Sequence, residues 1–172
     1  MQKGEGLQSF IKDVLPRVNR GLIKRVDPPV KVIRWERGTN RFHGCFADKG
    51  ALDFSGSFRG RHVEFDAKDS ALKNIPKKRN FKGHQLVRLD DLAVDGSIAG
   101  IWGRFRAVND LNREMWFIPA RPLLDVFMTM QSITFKACCA LECDGMAYPI
   151  SYHRPEKDFT HALECELKKL LT

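Results

Sequence analysis

The sequence has no apolar run long enough to cross a lipid bilayer. Its longest uninterrupted apolar stretches are a handful of residues, such as MWFI at 115–118, whereas a membrane-spanning helix needs about 20. The N-terminal segment MQKGEGLQSFIKDVL alternates apolar and polar residues, without the continuous apolar core and small-residue cleavage site of a secretory signal. We therefore expect no membrane association and a cytoplasmic location.

The cysteines lack the patterns that indicate a disulfide framework or a structural metal site. There are five, an odd number at irregular spacing, and no two of them form a CxxC pair. We expect free thiols that pack as small apolar side chains. A zinc site that combines ACCALEC at 137–143 with His153 and His161 is the weaker alternative, because zinc sites usually contain such a pair.

Internal repeats, low-complexity tracts and Gly/Ser linkers are also absent, which favours a single domain over residues 1–172. A chain of this length buries roughly 70% of its unfolded surface, so it needs no disulfide or metal to fold. Acidic residues are in the minority, and the formal net charge is +8. Between residues 59 and 82, eight Lys/Arg accompany only three acids. This clustering indicates either a solvated surface or a surface that binds nucleic-acid phosphates.

The apolar pattern predicts the order of helices and strands. Apolar residues from Leu7 to Val18 recur at helical spacing, and Pro16 is expected to kink or end this first helix. Strands are predicted at 30–35, 41–46, 51–58 and 62–68, with turn residues at 48–50 and 59–61. The basic segment 69–80 contains Pro76 and is expected to be a loop, followed by a helix at 81–94.

The C-terminal half predicts two further strands, at 98–105 and 114–119, and a short helix from Pro122 to Met130. A last helix at 159–170 is expected to be capped by Asp158. The pattern at 132–151 supports no assignment. The order predicts an α/β domain built around a mixed sheet, with the first helix packed against that sheet.

One predicted strand carries the residues that point to chemistry. In HVEFDAK at 62–68 the side chains alternate, so Glu64, Asp66 and Lys68 share one face. Asp53 lies on the preceding strand, and an antiparallel hairpin would bring it near Asp66. Two carboxylates can hold Mg²⁺ through oxygen ligands, and the cation can neutralise charge that grows on a phosphodiester. Spacing alone leaves open an ordinary charged sheet face.

The surrounding residues resemble the RecU-type Holliday junction resolvases. The agreement rests on LDFSG at 52–56, GR at 60–61, EFDAK at 64–68 and NFKGHQ at 80–85. The family shows a D-[YF]-x-G-x-x-x-G-[KR] run, an FEAK strand and an NFxxHQ helix start. Weaker agreement continues through WFIP at 116–119 and the last helix, so the resemblance covers most of residues 4–172.

The resemblance implies a PD-(D/E)xK nuclease-like fold, a mixed sheet flanked by helices, with a short protruding stalk hairpin. It also implies a homodimer that needs Mg²⁺ or Mn²⁺ and cuts four-way DNA junctions symmetrically. Some members are encoded by phages, so the expected location is the bacterial nucleoid or the cytoplasm of a phage-infected host. An isologous dimer would supply two equivalent active sites for two symmetric cuts.

The resemblance also assigns roles to residues. The metal-binding acids fall on Asp53 and Asp66, the catalytic lysine on Lys68, and the glutamine of the helix start on Gln85. The chain departs from the family at two positions. Asp66 stands where the family has Glu, and Glu64 on the same face is a candidate to share the metal. An acidic position of the first helix falls on Gln8, for which Glu5 is a possible substitute.

Basic residues are assigned to DNA. Lys77, Lys78 and Arg79 are predicted to form a flexible loop that contacts phosphates, and His84 either donates to a phosphate or caps its helix. The stalk is placed at about 34–48. Its further DNA-binding candidates are Arg34, Arg37 and Arg41. Trp35 and Phe42 in the same segment could either stack on exposed bases or pack inward.

These observations predict a metal-dependent, structure-selective DNA endonuclease that resolves four-way junctions. Two alternatives stay open at this point. The chain could be another PD-(D/E)xK nuclease of the restriction or repair type. It could also be a non-catalytic protein that binds branched or single-stranded DNA.

Overall fold

Helices and strands alternate along the chain, as its apolar pattern predicts. The computed structural model describes residues 5–18, 22–27, 30–35, 38, 42–46 and 52–171, and of these only the backbone at 5, 30–35 and 42–46. The helices are α1 (Glu5–Val14), α2 (Lys77–Asn80), α3 (Gly83–Val94), α4 (Ala120–Thr129), α5 (Phe135–Cys143) and α6 (Pro155–Lys169). The strands are β1 (Ile23–Arg25), β2 (Val30–Trp35), β3 (Phe42–Phe46), β4 (Phe54–Phe58), β5 (Arg61–Ser70), β6 (Asn74–Pro76), β7 (Ile98–Phe105), β8 (Met115–Pro119), β9 (Ser132–Thr134) and β10 (Tyr148–Ile150).

A six-stranded mixed sheet lies at the centre, in the order β1-β4-β5-β7-β8-β10. Strands β5 and β7 pair in parallel, and the other neighbours in this sheet pair antiparallel. The parallel pair requires a crossover, and this crossover carries β6, α2 and α3. The predicted class, an α/β domain with a mixed sheet flanked by helices, is confirmed.

Both faces of the sheet are covered by apolar side chains. On one face, α1 and α6 pack on the aromatic residues of the central strands, through Leu7, Ile11, Phe65, Trp102 and Phe159. The other face is covered by α3, α4 and α5, through Leu89, Leu123, Cys138, Ile101 and Trp116. Packing of the first helix on the sheet is therefore confirmed. Cys138 is fully buried, and burial raises the pKa of its thiol.

The hairpin of β4 and β5 sets the register that matters for the site. Its two-residue turn, Arg59 and Gly60, has positive φ at both positions (48° and 84°), the geometry of a type I′ turn. At the outer edge, β1 pairs with β4 where Gly56 faces Ile23, and a Cβ on Gly56 would lie 2.1 Å from the Leu22 carbonyl oxygen. Strand β1 was not predicted, because three residues carry too little alternation.

Strands β2 and β3 form a separate antiparallel hairpin, with Trp35 opposite Phe42 and a register shift between Val32 and Arg34. Both strands were predicted. The side chains of Arg34, Trp35 and Phe42, and the residues Arg37 and Arg41, lie outside what the structure describes. Their roles, and the single-domain assignment of residues 1–172, stay predictions.

Three local predictions were wrong or incomplete. Segment 69–80 is not a loop, since it ends β5 and then forms β6 and α2, with β6 paired to β9 around the buried Ile75. Residues 132–151 contain β9, α5 and β10. Asp158 does not cap α6, because it lies inside the first turn, where it accepts a hydrogen bond from the Ser151 backbone N–H at 2.9 Å.

The remaining predicted elements match. Pro16 falls in a single 3-10 turn (Leu15–Arg17) directly after α1, so the helix ends there as expected. Within the described part of the chain, no helix has both the length and the apolar content of a membrane span.

Candidate active site

The β4–β5 hairpin brings the two predicted metal-binding acids together. Because Phe54 pairs with Phe65, Asp53, which directly precedes β4, falls beside Asp66. The Asp53 Oδ2 atom accepts a hydrogen bond from the Ala67 backbone N–H at 3.0 Å. Strand alternation points Glu64, Asp66 and Lys68 to the α3 face, while Val63 and Phe65 enter the opposite core.

Helix α3 contributes Gln85, which joins the acid and the lysine. The Gln85 Nε2 atom donates to Asp66 Oδ2 at 2.7 Å, and its Oε1 atom accepts from Lys68 Nζ at 3.2 Å. The same Oε1 also accepts from the Lys82 backbone N–H at 3.1 Å, a bond typical of Gln at the third position of a helix. The helix start therefore fixes the amide of Gln85 in one orientation.

Lys68 is held on three sides. Its Nζ lies 2.6 Å from Asp66 Oδ2, and 5.0 Å from the ring centre of Phe81, which is buried as predicted. Lys68 itself is only 9% exposed. A nearly buried ammonium with one charged partner and one amide partner has little freedom to move.

The two aspartates form an electrostatically unfavourable pair. Asp66 is 1% exposed. Burial raises the pKa of Asp66 above its usual value, and hydrogen bonding with Asp53 and the charge of Asp53 raise it further, while Lys68 opposes this shift. Two carboxylates this close favour a bound proton or a bound cation between them.

The arrangement fits a hard divalent cation. Among described residues, donors to these two carboxylates contact Oδ2 atoms, and both carboxylates supply the oxygen ligands that hard cations prefer. In the described part of the chain, no cluster of three or more His, Cys, Asp or Glu side chains could hold a metal. A two-carboxylate site suits Mg²⁺, which keeps several waters and often takes substrate phosphates as further ligands.

Glu64 has other partners in the structure. Its oxygens accept from Arg88 Nε and Nη2 at 3.2 and 2.7 Å and from the Leu52 backbone N–H at 3.1 Å, and His62 lies at 3.1 Å. Its predicted role as a metal ligand remains untested. Sequence reasoning missed Arg88, although its position three residues after Gln85 places both on one helix face.

Helix α1 reaches the site through Gln8. Its Nε2 atom donates to Asp53 Oδ2 at 2.9 Å, so the position where the family carries an acid does face the site. The side chain of Glu5 lies outside the described residues, and its assignment to the metal stays a prediction.

The predicted phosphate-contacting segment differs from expectation. Residues 77–80 form the helical turn α2 and not a flexible loop. Lys77 donates to the Phe127 carbonyl oxygen at 3.2 Å, whereas Lys78 and Arg79 are exposed. His84 is half-buried and does not cap α3, because the N-cap residue is Lys82 and Gln85 bonds back to it.

Comparison with known proteins places these observations in a family. The chain is 27% identical over 82 residues to the Holliday junction resolvase RecU of Lactococcus lactis, which covers 48% of this chain and 37% of that protein. It is 26% identical over 116 residues to the protein of the same name from Streptococcus gordonii, covering 64% and 56%. The Leuconostoc citreum protein is 25% identical over 122 residues, covering 69% and 56%.

The chain thus spans about half, or less, of the length of these relatives. Among solved structures it is similar to Archaeoglobus fulgidus Hjc, a Holliday junction resolvase from an archaeal hyperthermophile, with a TM-score of 0.44 and 11% identity over 70% of this chain and 75% of that one. Residues 4–160, most of the sequence, match the family described as Recombination protein U. The chain belongs to the Recombination protein U family.

Proposed function

We propose that this chain is a divalent-metal-dependent DNA endonuclease that resolves four-way junctions by symmetric phosphodiester cleavage. The observation that carries the proposal is the convergence of Asp53, Asp66, Lys68 and Gln85 at one end of the β4–β5 hairpin. Its similarity to proteins named Holliday junction resolvase supports the choice of substrate.

In this proposal the carboxylates of Asp53 and Asp66 would hold Mg²⁺ or Mn²⁺. A bound cation would supply positive charge to the scissile phosphate and lower the pKa of a bound water. Lys68 and Gln85 lie next to Asp66, where the ammonium and the amide can orient the attacking water. The fixed Gln85 amide keeps Lys68 pointed at this position, so little reorganisation is needed when the substrate arrives.

The rest of the surface would bind and select DNA. Lys78 and Arg79 on α2 follow the crossover strand β6 and are exposed, so they are available to phosphates. The β2–β3 hairpin, with Arg34, Arg37 and Arg41, is assigned to the junction centre. We assign the active form to a homodimer, since two equivalent sites suit two symmetric cuts, acting in the bacterial cytoplasm or nucleoid or in a phage-infected host.

A cleavage assay with matched substrates tests the proposal. End-labelled four-way junction, duplex and single strand of the same sequence are incubated with Mg²⁺, with Mn²⁺ or with EDTA. We expect paired cuts in the junction, with either metal and not with EDTA. Equal cleavage of duplex would favour a restriction or repair nuclease, and tight junction binding without cleavage would favour a binding protein. Either result would reject the proposal.

A further inference from the structure

Glu64 is a buried carboxylate in the middle of β5 that the proposed chemistry does not require. It is 2% exposed, and it lies on the same strand face as Asp66 and Lys68. Removing a carboxylate from water is unfavourable unless hydrogen bonds and an opposite charge compensate it. The contacts that compensate Glu64 therefore indicate what this residue does.

Those contacts keep Glu64 charged. Burial alone would raise the pKa of Glu64, but hydrogen bonds from Arg88, the Leu52 N–H and His62 lower the pKa below its usual value. The hydrogen bond with Glu64 also raises the pKa of Arg88. The Arg88 guanidinium binds through two nitrogens, Nε and Nη2, which fixes direction as well as distance.

The same contacts join the three elements that form the active site. Leu52 immediately precedes Asp53, so the bond from its N–H to Glu64 Oε1 fixes the chain at the entry of β4. Arg88 lies three residues after Gln85 on α3, so its bonds to Glu64 fix that helix face against β5. One carboxylate thus ties both neighbouring elements to the strand that carries Asp66 and Lys68.

We infer that Glu64 is a positioning residue that, through Arg88 and the Leu52 N–H, holds Asp53 and Gln85 in register with Asp66 and Lys68. Its effect on cleavage rests on the proposed function, whereas its effect on backbone order does not. Displacement of a reacting group by about 1 Å can lower a rate by about 100-fold, so a positioning contact has a large effect without touching DNA.

The test compares Glu64→Gln, Arg88→Met and the double variant with wild type. Glu64→Gln keeps the shape but turns an amide N–H toward Arg88, and Arg88→Met keeps the chain length without the charge. Tyr148→Phe is the matched control, because it removes part-buried hydrogen bonds to Glu166 (2.7 Å) and to the Gly145 carbonyl oxygen (3.0 Å) from the edge strand β10. Single-turnover cleavage of the junction, junction Kd, melting temperature and residue-resolved hydrogen exchange are measured for each.

We expect each single variant to cleave about 10- to 100-fold more slowly at saturating metal, with junction Kd within about twofold of wild type. The double variant should lose less than the product of the single losses, because both act through one contact. Exchange of the Leu52 N–H should accelerate in Glu64→Gln, because the neutral amide oxygen is a weaker acceptor than the carboxylate. Tyr148→Phe should change the melting temperature but neither the cleavage rate nor the exchange rate of the Leu52 N–H.

Two results would overturn the inference. One is that Glu64→Gln changes neither the exchange rate of the Leu52 N–H nor the cleavage rate. The other is an equal loss of cleavage in Tyr148→Phe at a similar melting temperature, which would make general stability the cause. If the wild-type chain cuts no junction, the proposed function fails, but the exchange measurement still decides whether Glu64 orders the site.

Discussion

Replacing Asp53 by Asn should abolish cleavage and at the same time stabilise the metal-free protein. The asparagine carbonyl can take the place of Oδ2 and accept the bonds from Gln8 and from the Ala67 N–H. Its NH₂ group can then donate to the neighbouring Asp66 carboxylate. A repulsive contact between two carboxylates becomes a hydrogen bond, and one of the two proposed metal ligands disappears.

The size of the effect follows from the electrostatics of the pair. Two unit charges about 4 Å apart repel by about 4 kcal/mol at an effective dielectric of about 20. Lys68 and Gln85 already offset part of this at Asp66. We therefore expect the free energy of unfolding to rise by about 1–2 kcal/mol, which raises the melting temperature by roughly 2–8 °C in a chain of this length.

The pH dependence of stability should change with it. The pKa of Asp66 is raised from 3.8 to about 7, so between these values the folded state binds more protons than the unfolded state. Wild-type stability therefore decreases as pH rises through this window, and the decrease is complete above about 7. In Asp53→Asn the pKa of Asp66 should fall toward its ordinary value, and this decrease should become smaller.

Thermal unfolding in EDTA from pH 4 to 8 measures both effects, and Asp69→Asn is the control. Asp69 lies on the other face of β5, with its side chain 4% exposed, where Arg104 donates to it at 3.1 Å and Arg106 lies at 3.2 Å. The same substitution there should lower stability by about 3 kcal/mol, because it breaks a buried ion pair. A lower melting temperature for Asp53→Asn at pH 8, or cleavage at the wild-type rate, would refute the reasoning.

Three further predictions concern the surface and the first helix. The double variant Lys78→Glu/Arg79→Glu should flatten the slope of log K for DNA binding against log salt concentration by about 0.9 for each lost phosphate contact. The control Lys157→Glu should leave this slope unchanged. An unchanged slope in the double variant would mean that α2 is solvated surface that does not contact DNA. Shortening residues 36–40 to a two-residue turn should weaken junction binding about tenfold or more while duplex binding barely changes, and equal losses in gel-shift titrations of both would contradict a selective role. Gln8→Glu should lower the melting temperature in EDTA and increase the rise in melting temperature that Mg²⁺ causes. An equal rise with Mg²⁺ in the wild type and the variant would mean that the residue at position 8 does not contribute to metal binding.

The centre of the site was predictable because it depends on local geometry. Alternation along β5 decides which side chains share a face, and a tight hairpin decides that Asp53 returns beside Asp66. The family resemblance added Gln85, which spacing alone would have left among ordinary helix-surface amides.

The contacts missed from the sequence are those between elements far apart in the chain. Arg88 meets Glu64 only because the crossover lays α3 over β5, and Gln8 meets Asp53 only because α1 crosses the hairpin end. Strands β6 and β9 are three residues each and exist because they pair around Ile75. Runs this short show no periodicity, and tertiary pairing decides their conformation.

The two-residue turn at Arg59 and Gly60 limits how such a chain can vary in length. Inserting one residue within β5 before Asp66 would move every later residue of this strand to the opposite face. Phe65 would then replace Asp66 at the site, and two charges would enter an aromatic core. We therefore expect changes of length among homologues to concentrate in connections outside this hairpin, such as 36–41 or 109–112, and insertion scanning should find the 53–68 interval the least permissive.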